Sequence, residues 1–309
     1  MKPRLQIQLR WRLRAVQRAL PARPLPGPRQ IHQARQYTKQ ARAILRLLRH
    51  ALKSSVFRDT DRDLRAVAAS LSEARARTVI LETLFALGAE RAYMRPAIRA
   101  VEHSWQLHAR GLAAQPLGRE MNAALRPLQA ATDRVEGWIL PPESEQSVRK
   151  AVGRCYRKGR RAWKRALSTA AEDDWHNCRK HAKYLDYQLG CAVSLGAPLR
   201  SLRKGAHELG TLLGRAHDLA DLRRAIHRSA AAHSSSGAAV LLNIAERESQ
   251  LVRRAGKLAG HVFGQRARDF DRQLRTRAVR FIVPVADTRA RAGSTTKRSG
   301  AGERGRPMR

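Results

Sequence analysis

The sequence predicts an all-α fold made by duplication of a multi-helix unit. Apolar residues recur at helical spacing along most of the 309 residues. The alternation that marks a strand is almost missing, apart from a short FIVPV run at Phe281 to Val285. One pattern also occurs twice: a histidine, an arginine three residues on and a lysine seven residues on. It stands at His32, Arg35 and Lys39, and again at His176, Arg179 and Lys183. The copies are 144 residues apart, close to half the chain, which points to duplication of a whole helical unit rather than a solenoid of short repeats.

Arg4 to Leu20 reads as the first helix, because Leu5, Leu9, Leu13, Val16 and Leu20 fall on one face. PARPLPGP, Pro21 to Pro28, is a rigid linker. Ile31 to Leu52 is the helix around which the chain is organised. On it His32, Arg35, Lys39, Arg42 and Arg46 fall within a stripe roughly 80° wide and about 20 Å long. Ile31, Ala34, Ala41, Ile44, Leu45, Leu48 and Leu52 supply the flank that holds it on a core. Aligning like charges costs about 0.2–0.5 kcal/mol per neighbouring pair, a cost that a long anion along the stripe would relieve. Thr60 to Leu87 follows as a helix, with Asp59, Thr60 and Asp61 as N-cap candidates and Gly88 as a stop. Arg58, Arg62 and Arg65 lie at its start, and Arg75 within SEARARTVILETL, Ser72 to Leu84.

Pro96, Gly111, Pro116, Pro127, Pro141 and Pro142 punctuate the middle, with helical composition over 97–114 and 117–140. Pro141-Pro142 must interrupt a helix, so PPESEQ is expected to separate the halves, about 4–140 and 147–284. The second half opens with a basic helix over Ser147 to Ala171. Glu172, Asp173 and Asp174 then supply an acidic helix start, favourable at the positive end of the helix dipole. Trp175 to Cys191 carries His176, Arg179, Lys180 and Lys183. Gly196 and Pro198 precede the next basic helix, with Arg200, Arg203, Lys204 and His207; these match Arg58, Arg62 and Arg65 in spacing. LLGRAHDLADLRRAI, Leu212 to Ile226, carries His217 and matches the segment that holds Arg75. SSSG at Ser234 to Gly237 marks a turn, and one long helix is expected from Ala238 to about Ile282. Its Gly256, Gly260 and Gly264 would allow close packing. Val285 to Arg309 has few apolar residues and many Gly, Arg and Ser, and reads as a disordered basic tail.

HQARQYTKQAR, HNCRKHAKYLDYQL and LLGRAHDLADLRR, in this order, resemble the CHAD family, the histidine-containing α-helical domain. CYRKGRRAWKRAL, Cys155 to Leu167, is similar to the Tyr-Arg-x-Gly-Arg helix that precedes the family's second histidine. The resemblance spans about Arg4 to Pro284. It implies two pseudo-symmetric four-helix bundles enclosing a basic groove or pore that binds inorganic polyphosphate, with association with polyphosphate granules. The site residues are then the histidines and cations named above on both halves. The sequence departs from the pattern at Ala76, where the second half has Asp218, and at Asp186 and Gly190, where an arginine and often a glutamate are usual. Loss of a cation and gain of an anion at Asp186 is expected to weaken the second-half site.

Lys and Arg number 62 against 25 Asp and Glu, a net charge of +37, so the partner is expected to be a polyanion. Aromatics make up only 5%, which argues against a base-stacking platform for single-stranded nucleic acid. Nonspecific nucleic-acid binding remains the rival reading, since no helix-turn-helix, RRM or zinc-finger pattern supports base-specific readout. No apolar run reaches signal or membrane-span length, and no membrane partner is expected. Cys155, Cys178 and Cys191 form no CxxC pair and read as reduced core thiols of a cytoplasmic protein. Metal-ligand spacing, phosphate-cradling glycine loops and a GxSxG elbow are missing, so binding is expected rather than catalysis, with no cofactor. His32 and His176 sit among cations that disfavour imidazolium, so each either gains a proton on meeting phosphate or packs between helices. Tyr37, Tyr184 and Tyr187 are expected in the core.

Overall fold

The computed structural model describes residues 4–21, 25–112, 117–142, 144–275 and 279–281. Ten α-helices carry the described chain: α1 Arg4–Ala19, α2 Pro28–Leu47, α3 Ser54–Glu90, α4 Arg95–Leu112, α5 Leu117–Glu136, α6 Glu145–Thr169, α7 Glu172–Leu189, α8 Ala197–His227, α9 Ser235–Phe263 and α10 Ala267–Arg275. The tail expected over 285–309 lies outside the described residues. Among the described residues no helix is long and apolar enough to cross a membrane.

Local chemistry sets most boundaries. Pro28 opens α2 with its fixed φ, and the side chain of Gln30 accepts the Gly27 N–H at 2.8 Å. Ser144 and Ser234 cap α6 and α9, accepting from the backbone N–H of Ser147 and Gly237. The acidic first turn of α7 is formed by Glu172, Asp173 and Asp174 as expected.

The differences from the sequence reading have physical causes. Helix α3 begins at Ser54 and runs through Gly88 to Glu90. Asp61 is therefore not a cap but a buried carboxylate that gathers arginines. α5 passes through Pro127. The single long helix expected from Ala238 is two: α9 ends at Phe263, where Arg160 of α6 binds the carbonyls of Phe263 and Gly264 and the Tyr156 hydroxyl binds that of Gln265. These cross-helix partners take carbonyls that a continuous helix would use itself. Residues 194–195 and 279–280 form a two-residue antiparallel pairing, Ser194 against Arg280 and Leu195 against Val279.

Helices α1, α2, α3 and α5 pack as a closed ring, each touching the next, and so do α6, α7, α8 and α9. The rings meet through α2 on α7 and α3 on α8, and Gln188 of α7 donates to the Ala43 carbonyl of α2. The Leu5, Leu9, Leu13, Val16 and Leu20 face of α1 is buried. Two apolar clusters result. The larger holds the α1–α2 face, the first half of α3 and the bodies of α6 and α7. The smaller holds Leu84 and Leu87 of α3, Ile98 and Val101 of α4, Leu222 and Ile226 of α8, and Val240 and Ile244 of α9. The larger cluster also takes in Leu199 and Leu209 of α8 and Ala255 and Ala259 of α9, so α3, α8 and α9 run through both.

Candidate functional site

A cavity of about 520 Å³ opens where α2, α3, α7 and α8 converge. Arg35, Lys39 and Arg42 enter it from α2, His176, Arg179, Lys180 and Lys183 from α7, and His217 from α8. Four-residue spacing puts the paired cations, Arg35 with Lys39 and Arg179 with Lys183, one above another on their helices. Two glycines of α8 make room for the α7 pair. A Cβ on Gly210 would lie 2.7 Å from the Cε of Lys183, and one on Gly214 would lie 3.3 Å from an Nη of Arg179. On the α3 side the cavity wall is Ala68, Ser72, Glu73 and Val79.

The walls raise the electrostatic cost of holding these charges. Burial, with Arg35, Arg179 and Lys183 close by, brings the Lys39 ammonium down to about 7. Burial likewise pushes down Arg35 and Arg179, and Lys183. The Nε donors of Arg35 and Arg179 are buried and have no hydrogen-bond acceptor among the described residues. One acidic edge offsets the cations: Asp218 and Asp221 of α8 and Glu73 of α3 line the cavity. Burial raises the Asp218 carboxyl, against the pull of Arg179.

His32 stands beside this cavity without lining it. Its Nδ1 accepts from Arg75 at 2.5 Å, and its Nε2 lies 2.9 Å from the Gln36 amide. With Nδ1 occupied as acceptor, a neutral ring carries its proton on Nε2 and meets the Gln36 amide through its oxygen. Burial, then Arg75, Arg35 and Lys39, lowers the imidazole below its usual range. Burial also lowers His176, helped by His217, whose ring centroid is 5.0 Å away. Among the described residues no backbone carbonyl accepts from either histidine.

The remaining sequence candidates separate. Arg42 and Arg46 turn to Asp61 at 3.1 and 3.3 Å, and Arg65 joins them at 3.2 Å. Burial opposes the Asp61 charge, yet the three arginines hold its carboxyl below the usual range. Arg46 also lies over the Tyr184 ring, 4.4 Å from its centroid. Arg62 pairs with Asp59, and exposed Arg58 stays off the cavity wall. Arg75 is held between His32 and Glu82. Arg200 binds the Leu195 carbonyl, Arg203 and His207 bind Asp186 at 3.2 and 3.0 Å, and Lys204 is exposed; none lines the cavity.

Asp186 is buried and does not line the cavity: it is ion-paired with Arg203 and hydrogen-bonded to His207, and Gly190 leaves space for the Arg203 guanidinium, which a Cβ there would meet at 3.0 Å. Tyr184 is buried in the larger apolar cluster and Tyr37 and Tyr187 pack against it, as expected; Tyr184 and Tyr187 also border the cavity. The Ala76 side chain lies outside the described residues. Cys155, Cys178 and Cys191 are buried, and burial raises the thiols of Cys155 and Cys178 to about 12.

The model of the CHAD domain family matches residues 7–227. The crystal structure of the CHAD domain from the plant Ricinus communis is similar over 90% of this chain and 92% of that one, with a TM-score of 0.52 and 18% identity, a likeness of fold. No curated protein matches the chain.

Proposed function

From the premise that the chain belongs to the CHAD family, we propose that it binds inorganic polyphosphate in the cavity between α2, α3, α7 and α8. The carrying observation is that cation pairs from two helices, Arg35 with Lys39 and Arg179 with Lys183, share one enclosed space in which both arginines keep an unused donor. Phosphate oxygens supply the missing acceptors, and arginine can offer them paired N–H groups. The occupant enters as a ligand and leaves unchanged; binding, without hydrolysis, is the activity we assign. The place of action on this reading is the cytoplasm, at polyphosphate granules.

Duplication of one helical unit accounts for the arrangement. The two rings of four helices are its copies. Small residues recur on the third helix of each copy, Ala68 and Ser72 lining the cavity from α3 and Gly210 and Gly214 meeting Lys183 and Arg179 from α8. The Arg42–Asp61 pair of the first copy returns with its charges exchanged as Asp186–Arg203 in the second. An exchanged pair keeps the attraction between neighbouring helices while reversing which helix carries the anion.

The test is competition of labelled long-chain polyphosphate against DNA and RNA at equal phosphate concentration. It is run on the full chain and on the combined variant Arg35→Gln, Lys39→Gln, Arg179→Gln. Polyphosphate should win on the full chain. The variant should bind it far more weakly, with the slope of log affinity against log salt shallower by about 2 if the three contacts resemble those to single strands. Unchanged affinity in the variant, or preference for nucleic acid, overturns the proposal.

A further inference from the structure

Outside the cavity, α6 carries a second set of cations that the site above does not use. Lys150, Arg154, Lys158 and Arg161 fall within roughly 80° of one another around the helix and run about 16 Å along it. Their neighbours on α6 are committed. Arg149, Arg157 and Arg165 pair with Glu145, Asp271 and Asp174, and Arg160 holds two backbone carbonyls. Among the described residues no carboxylate lies within ion-pairing distance of the four.

A solvated basic face does not need cations from several elements turned towards each other, and here three elements converge. The turn after α2, Leu48–Ala51, packs on α6 and carries two further basic residues, His50 and Arg49, the latter lying over the Phe57 ring at 4.4 Å from its centroid. Burial, then Arg154, Lys150 and Arg49, lowers the His50 imidazole. Burial, then Arg157 and Arg49, lowers Arg154. At the other end stands α7. Lys180, which lines the cavity, is depressed by burial, then Arg46, Arg42 and the Lys158 of the stripe. Next to it, His181 is brought down to about 4 by burial, with Lys180, Lys158, Arg46 and Arg161, and its Nδ1 is buried without a partner. α7, which carries Lys180 on the cavity wall, packs directly on α6, so Lys180 stands on the element between the cavity and the stripe.

We infer that the α6 stripe is a second binding track for polyphosphate, entered from the cavity past Lys180 and followed by chains too long to fit within it. The inference rests on the proposed function and adds a length preference: a short phosphate chain fills the cavity alone, and a long one also neutralises the stripe.

The experiment compares tripolyphosphate and long-chain polyphosphate by calorimetry on the full chain, on the variant K150Q/R154Q/K158Q/R161Q, and on a charge-retaining variant, K150R/R154K/K158R/R161K. The Gln variant should bind long chains about tenfold or more weaker, with the salt slope reduced by about 3, while tripolyphosphate affinity stays within about twofold. The charge-retaining variant should recover most of the long-chain affinity. K158Q/R161Q, which touches only the end near Lys180, should show an intermediate loss and covers the case in which four changes unfold the helix. The track is overturned if the Gln variants bind long chains as the wild type does, lose both ligands in parallel, or lose only DNA. A wild type that binds neither phosphate overturns the proposed function itself; one that binds both, with no length-dependent loss in the variants, overturns only the track.

Discussion

Lys39 shows how one side chain can make ligand capture depend on pH. Its ammonium is held down to about 7 in the free protein by burial and three neighbouring cations, and phosphate oxygens would raise it again. Affinity should then rise as pH falls from the value in the complex towards about 7, and flatten below it. His32 and His176, also depressed, extend the rise to lower pH. Titration calorimetry across this range should show proton uptake near neutrality that Lys39→Met abolishes while leaving the histidine portion. In the free protein the same group has the opposite visibility. The unfolded chain keeps the proton up to the ordinary lysine range, so stability should increase as pH rises above about 7, and the Met variant should lose that increase. Asp61 works in reverse, as the one carboxylate beneath Arg42, Arg46 and Arg65. Asp61→Ala should cost about 3–5 kcal/mol in denaturant unfolding, since it leaves half-buried guanidiniums facing one another.

At the scale of the element, glycines decide how closely helices carry their cations. Gly210→Ala would push a methyl against the flexible end of Lys183, whereas Gly159→Ala would push one to 2.4 Å from the fully buried Phe263 ring. The first should leave the melting temperature equal or higher, because alanine favours a helix, yet weaken phosphate binding. The second should destabilise by about 1–3 kcal/mol through overpacking, with affinity following the folded fraction. Thermal melts beside binding isotherms separate the two. The helices themselves were legible, because α1 and α2 bury a periodic apolar face. So were the cavity cations Arg35, Lys39, Arg179 and Lys183, because spacing of three and seven residues fixes one helix face. Arg46, Arg203 and His207 read as ligands on the same spacing, yet they are spent on Asp61 and Asp186. Periodicity says which side of a helix a residue occupies and nothing about which distant carboxylate crosses to meet it. Gly210 and Gly214 were passed over in favour of Gly256 and Gly260, whose added Cβ atoms would make only ordinary contacts at 3.7 Å with Trp175 and Trp163.

The molecule as a whole carries +37, and its cavity concentrates that charge where α3 and α8 are midway between the two apolar clusters. Each of these helices is longer than its neighbours, 37 and 31 residues, and each is a shared member of both clusters. Neither cluster can open without tearing a helix out of the other, so the protein should unfold as one cooperative unit. A polyanion seated at mid-span joins the two long helices through the side chains between them and stiffens them like a splint across a beam. Amide hydrogen exchange should report this at a distance. Leu84 and Ile226, buried in the smaller cluster and absent from the cavity wall, should exchange more slowly with polyphosphate bound. A gain of protection confined to α2 and α7 would mean that the helices bend independently. Length in α3 and α8 is then more than reach: it makes an event at the centre of the molecule felt at its ends, with no moving part in between.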